Sequence, residues 1–173
     1  ALGSDSLFKA GILNTIILVI VATTAQVSIG LMLALACSRV GRRSQTYRTL
    51  FLLPILIPGI IIGAIWRLMY NYQFGVVNQI LDLVGFGPVD WLGSSSLALM
   101  SVIIVDIWHW TPFSFLLLLA AVEALPKDVS EAAQIDGASK WKEFLRISLP
   151  LLWPAIFTTF VFRAIIAFKV FDE

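Results

Sequence analysis

A chain of 173 residues that is 59% hydrophobic and 13% charged departs from soluble domains, which are roughly 45–50% apolar and about 25% charged. Its mean hydropathy of +0.92 and its long uncharged runs place it in the membrane class, where the positions of the charges matter more than a net charge of +1. A single cysteine, Cys37, excludes an internal disulfide and reads as a small apolar filler.

The first apolar segment runs from about Ile12 to Cys37, the second from Leu50 to Tyr70, the third from Leu97 to Val122 and the fourth from Leu151 to Phe171. Each has roughly 20 residues or more, enough at about 1.5 Å per residue to cross a hydrocarbon core of about 30 Å. Inside lipid, backbone N–H and C=O groups must find partners within their own segment, so helices are expected. The expected fold class is all-α: a polytopic membrane helical bundle, four transmembrane helices in one domain over residues 1–173. No basic stretch, short apolar core and cleavage site open the chain, so nothing reads as a signal peptide. Ala1 stands without an initiator Met and Glu173 follows closely on an apolar run, which sets the expectation of a fragment that continues at both ends.

The connections fix an orientation. The first, Ser38 to Thr49, carries Arg39, Arg42, Arg43 and Arg48, and the third, Glu123 to Ser148, carries Lys127, Lys140, Lys142 and Arg146; the middle one, Asn71 to Ser96, has no Lys or Arg. The positive-inside rule puts the two basic loops in the cytoplasm and the middle loop, with both chain ends, outside. Within the second segment Pro54 and Pro58 predict a kink. Gly59 and Gly63 suit the close approach of another backbone or a flexible transport element. In the outer loop Phe74, Val77, Leu81 and Val84 recur at helical spacing, consistent with a short amphipathic helix on the membrane surface or with a simple connector. Ser94, Ser95 and Ser96 then offer cap oxygens to the third helix.

Two ionisable residues lie deep in the membrane, Asp106 in the third segment and Arg163 in the fourth, at similar depth from the outer surface. They either pair or face a water-filled cavity. Asp106, His109, Trp110 and Phe113 follow i, i+3, i+4, i+7 and share one helix face. That face suits a sugar, with polar groups for its hydroxyls and indole for its C–H face, and equally suits a packed polar cluster. A lone histidine makes a poor metal site, so neither metal nor cofactor is expected. Arg67 and Lys169 sit where they can snorkel to the outer interface. The absence of a G-x-x-x-x-G-K-[ST], H-E-x-x-H or G-x-S-x-G pattern argues against ATP binding or hydrolytic chemistry in this chain.

The polar loop between the third and fourth segments is the most informative stretch. Pro126 suits a helix start, Asp128 and Glu131 resemble a capping pair, Gly137 supplies a turn, and Ser139 can cap a second helix carrying Trp141, Phe144, Leu145 and Ile147. Such a helix-turn-helix is either a solvated loop or a rigid docking knob. Glu131-Ala132-Ala133, Gly137 and Ile147-Ser148-Leu149-Pro150 resemble, in identity and spacing, the EAA signature of permease subunits in binding-protein-dependent ABC importers. The resemblance extends through Asn14-Thr15, Arg48 to Pro54, Ile65-Trp66-Arg67, Phe74 to Asn78, Trp110 to Phe113 and Phe168 to Glu173. These stretches look like the carbohydrate-uptake permeases related to the maltose and glycerol-phosphate systems.

The resemblance implies a multi-pass subunit of a bacterial or archaeal cytoplasmic membrane that moves a sugar or sugar-like solute inward, with no chemistry of its own. It implies that the polar loop is a coupling helix for a cytoplasmic ATPase, through Glu131, Ala132, Ala133, Asp136, Gly137, Ile147, Leu149 and Pro150, and that Asp106, His109, Trp110, Phe113 and Arg163 lie along the solute pathway. Its implied partners are that ATPase, a second homologous permease subunit, an extracytoplasmic solute-binding protein, a sugar and the lipid bilayer, with no nucleic acid. The family's members have six or more transmembrane helices, so this chain reads as part of one. An ion-coupled secondary transporter using Asp106 and His109 as a proton relay is the alternative, and a non-transporting scaffold or receptor is a further one.

Overall fold

A computed structural model describes residues 6–38 and 44–168. Arg39, Arg42, Arg43 and Lys169 lie outside them. Every regular element among the described residues is helical: α1 (Ser6–Ser38), α2 (Ser44–Leu52) running into a 3-10 turn (Leu53–Leu56), α3 (Gly59–Met69), α4 (Val76–Leu83), α5 (Ser95–Glu123), α6 (Lys127–Ile135), α7 (Lys140–Glu143) and, after a π-helical turn (Phe144–Ser148), α8 (Leu149–Ala167).

Three stretches are long and apolar enough to cross a membrane as continuous helices: Phe8–Ser38, Ser95–Glu123 and Lys140–Ala167. The second expected span departs from a kinked helix, because Arg48–Leu56 and Gly59–Met69 meet at 94°. Proline chemistry explains the break. Pro54 lies inside the 3-10 turn, and Ile57 is extended, φ −88° and ψ 126°, as a residue preceding proline prefers. Pro58, φ −56° and ψ 138°, then stands at the entrance of α3. Two prolines four residues apart, with an extended residue between, end one helix and start another in a new direction.

The core is a three-helix unit of α1, α5 and α8. Leu18, Val19, Ala22, Ile103 and Ala167 form one buried cluster towards the end of the bundle where α5 begins. Val27, Ala34, Cys37, Phe115, Leu118 and Leu119 form a second towards the end where α1 and α5 finish. Cys37 is buried, in keeping with its reading as a filler. The close backbone approach occurs at Gly30, where a Cβ would come within 2.9 Å of the Phe115 amide nitrogen and of Ser114 Cβ. At Gly63 a Cβ would meet nothing within 4 Å, so that glycine brings no second backbone close among the described residues.

The outer connection is organised by one amide. Asn78, buried in α4, donates from Nδ2 to the carbonyls of Tyr72 (3.2 Å) and Val89 (3.0 Å). Its Oδ1 accepts from the Val89 amide (3.1 Å) and the Trp91 indole (2.9 Å). Of the residues read as a short helix or a connector, Val77 and Leu81 lie in α4 while Phe74 and Val84 flank it, and the helix is pinned to the following loop. Ser94 caps α5 by accepting from the Leu97 amide.

Candidate functional site

At mid-depth the two ionisable residues pair. Arg163 Nη2 donates to Asp106 Oδ2 at 2.7 Å, with the arginine side chain fully buried and the aspartate 6% exposed. Gln26 of α1 completes the group. Its Nε2 donates to Asp106 Oδ2 at 2.7 Å and to the Asp106 carbonyl at 2.9 Å, while its Oε1 accepts from Arg163 Nε at 2.6 Å. Three helices therefore meet at one neutral polar knot, packed between the two apolar clusters.

Sequence reasoning missed Gln26. Hydropathy scores an amide as a mild interruption, whereas an ionised group in an apolar segment stands out at once. A signal existed in helical periodicity: Thr23, Gln26, Val27, Gly30, Ala34 and Cys37 form a stripe of small and polar residues along α1.

The expected face of α5 divides in two. Asp106, His109 and Trp110 line a cleft of about 600 Å³ between α3 and α5, whose opposite wall carries Gly59, Gly63, Trp66, Arg67 and Tyr70. Phe113 stands one turn further along, its ring edge-on to Trp110 at 6.2 Å. Arg163 lies behind this wall, its guanidinium carbon 4.8 Å from the Trp110 ring centroid, a cation–π contact. The cleft's rings are linked: Trp66 meets Tyr70 at 5.3 Å and Trp108 at 5.7 Å, and Tyr70 meets Trp91 at 5.5 Å. The Tyr70 hydroxyl also donates to the Ser101 carbonyl at 3.4 Å. Aromatic faces beside a few polar groups form the kind of wall on which a sugar ring stacks while its hydroxyls hydrogen-bond.

At the other end of the bundle, the polar loop is a compact helix-turn-helix. Gly137 adopts φ 73°, and the Ala138 amide donates back to the Ala133 carbonyl at 2.9 Å, a Schellman-type helix end that favours glycine. Ser139 caps α7 by accepting from the Lys142 amide. Ser130 of α6 hydrogen-bonds Glu143 of α7, joining the two arms. Glu131, Ala132 and Asp136 are exposed, with Ile135 86% exposed beside them, whereas Ala133 is buried within the loop. Phe144 and Ile147 line a cleft of about 440 Å³ with the inner ends of α1 and α5, while Trp141 and Leu145 face outward.

The π turn joins this loop to α8. Pro150 lacks an amide, and in a regular helix its ring would crowd the carbonyl four residues back. The Leu149 amide instead donates five residues back, to Phe144, and the widened turn accommodates the proline without ending the helix. Arg48 of α2 pairs with Glu123 of α5 near the same end, tying the broken span to the start of the loop.

Residues 26–172 match the family described as binding-protein-dependent transport system inner membrane component. The chain is 41% identical over 152 residues to the trehalose/maltose transport system permease protein MalF of Thermococcus litoralis, covering 88% of this chain and 52% of that protein. It is 36% identical over 171 residues to the xylose/arabinose import permease protein XacH of Haloferax volcanii, covering 99% of this chain and 54% of that one. Its fold superimposes with a TM-score of 0.86, at 27% identity, on the crystal structure of a bacterial ABC transporter involved in the import of the acidic polysaccharide alginate, covering 98% of this chain and 60% of that one. The chain thus spans about half the length of these curated relatives.

Proposed function

This chain belongs to the family of binding-protein-dependent transport inner membrane components, and from that premise we propose that it is part of a permease subunit through which an ATP-driven importer moves a saccharide or saccharide-like solute across the cytoplasmic membrane. The observation that carries the proposal is the polar loop: α6 presents Glu131, Ala132, Ile135 and Asp136 on an exposed surface, and α7 continues through the π turn into α8 as one helix. A knob so joined can pass the displacement of an attached ATPase into the membrane. Glu131 would meet a basic residue of that ATPase, and Gly137 fixes the turn that presents it.

The solute would cross beside α5, with Trp110 and His109 at the cleft wall, Phe113 one turn further along, and Asp106 and Arg163 completing the group at this depth. A saccharide fits the aromatic lining, and the names of the relatives, trehalose/maltose and xylose/arabinose permeases, support the same class. A second permease subunit and an extracytoplasmic binding protein complete the proposed assembly; a structural relative was solved as an alginate transporter with a periplasmic protein bound to alginate pentasaccharide. Chemistry is left to the ATPase, and this chain's part is conformational.

The test is Glu131→Lys. We expect it to insert normally but to retain at least tenfold less ATPase on co-purification, since breaking a desolvated interface ion pair costs about 2–5 kcal/mol. Undiminished co-purification together with undiminished uptake would overturn the coupling assignment.

A further inference from the structure

Gln26 is fully buried and makes three hydrogen bonds of 2.6–2.9 Å to Asp106 and Arg163, on two other helices. Its amide has the polarity the pair demands. The NH2 end meets the carboxylate and the backbone carbonyl of the same aspartate, and the oxygen meets the guanidinium. The carboxylate is thereby turned towards Arg163, and the guanidinium is held with its carbon over the Trp110 ring. Among the described residues Arg163 Nη1 has no hydrogen-bond partner, so Gln26, Asp106 and the Trp110 ring are what fix this arginine. Trp110 and Asp106 are the members of the chain of contacts that line the cleft, and of the two Trp110 presents the larger face.

We propose that Gln26 is a positioning residue for solute passage: it locks Asp106 and Arg163 into a neutral three-helix knot whose role is to fix Trp110 at the cleft wall, and the solute touches Trp110 and His109 rather than the buried charges. The idea rests on the transport reading above and deepens it. A charge placed at mid-membrane is tolerated when it is paired and fully hydrogen-bonded. Here Arg163 is engaged through Nε and Nη2 and Asp106 through Oδ2, and in the proposal the indole is the group that meets a ligand.

A suppressor experiment separates the knot from its parts. Gln26→Leu removes all three hydrogen bonds, and Asp106→Asn leaves Arg163 without its counter-charge. In the double variant Gln26→Glu/Asp106→Asn the negative charge moves from α5 to α1. The carboxylate now on α1 can accept from Arg163 and from the side-chain amide introduced on α5, so net charge and the side-chain contacts are restored, while the backbone carbonyl of residue 106 loses the donor that Gln26 gave it.

In the full-length permease assembled with its partners in proteoliposomes, we expect each single variant to lower membrane abundance and maximal uptake at least fivefold. The double variant should recover most of both, with half-saturation within about twofold of the unaltered protein. A double variant no better than Asp106→Asn would overturn the lock. Recovered abundance with half-saturation raised tenfold or more would show the Asp106 carboxylate to be a solute contact and overturn the positioning role. If the unaltered protein took up no saccharide, the transport reading would fail, while abundance and melting temperature of the three variants would still decide whether the knot acts as a unit.

Discussion

Gly30 shows how much of this bundle depends on a missing side chain. The backbone of α5 at Ser114 and Phe115 lies where a Cβ on Gly30 would go, so even a methyl must separate two helices that share both core clusters. Overpacking of this kind typically costs about 1–3 kcal/mol. Gly30→Val should therefore lower the melting temperature in detergent and reduce membrane abundance, while Gly63→Val, with open space around it, should leave both nearly unchanged. At this scale the sequence was legible where a residue is costly in lipid and illegible where it is merely well placed. Asp106 and Arg163 announced themselves by charge, and even their pairing could be stated as one of two outcomes. Gln26 and Gly30 gave only the weaker sign of a small and polar stripe along α1, which marks a packed face without saying which residue of α5 each one meets.

Among the elements, the passage from α7 to α8 carries the clearest mechanical argument. A five-residue π turn (Phe144–Ser148) lies immediately before Leu149 and Pro150, where a regular helix would clash with the proline ring. With Pro150→Ala an amide returns and the clash disappears, so the turn can tighten to ordinary α geometry and rotate the docking knob relative to α8. We predict unchanged membrane abundance, with solute-stimulated ATP hydrolysis reduced at least threefold in the reconstituted complex; full stimulation would show that the π turn has no part in coupling. The helix-turn-helix itself was legible, since Gly137, Ser139 and the motif around them are short-range signals. The π turn was not, because hydropathy and caps report that a helix exists without reporting its winding. The second span shows the same limit: Pro54 and Pro58 foretold a departure from straightness, but the 94° angle depends on both prolines acting with an extended Ile57.

For the molecule as a whole, the orientation argued from Lys and Arg can be checked directly. Cys37 is the one cysteine in these 173 residues and is buried, so replacing it with serine, together with any cysteine in the rest of the full-length protein, gives a background for single-cysteine labelling. In intact cells a membrane-impermeant maleimide should label Asp82→Cys in α4 and spare Glu131→Cys in α6, which should react only once the cells are opened. The reverse pattern would invert the topology and place the proposed coupling loop where no cytoplasmic ATPase can reach it.

The break between Leu56 and Gly59 has a consequence for what surrounds the protein. A continuous helix hides its backbone from oil, but here the ladder is interrupted: the Ile57 amide turns back to the Pro54 carbonyl, the Ile61 and Ile62 amides share the Pro58 carbonyl, and Pro58 has no amide to offer. Leu56 and Ile60, on either side, are 74% and 81% exposed, so the described residues do not cover the gap themselves. Hydrocarbon cannot satisfy such groups, and irregular backbone at membrane depth persists only against protein or water. We therefore expect the flank of the bundle that carries α3, which lines the cleft beside α5, to face protein or water rather than the lipid its side chains would otherwise suit.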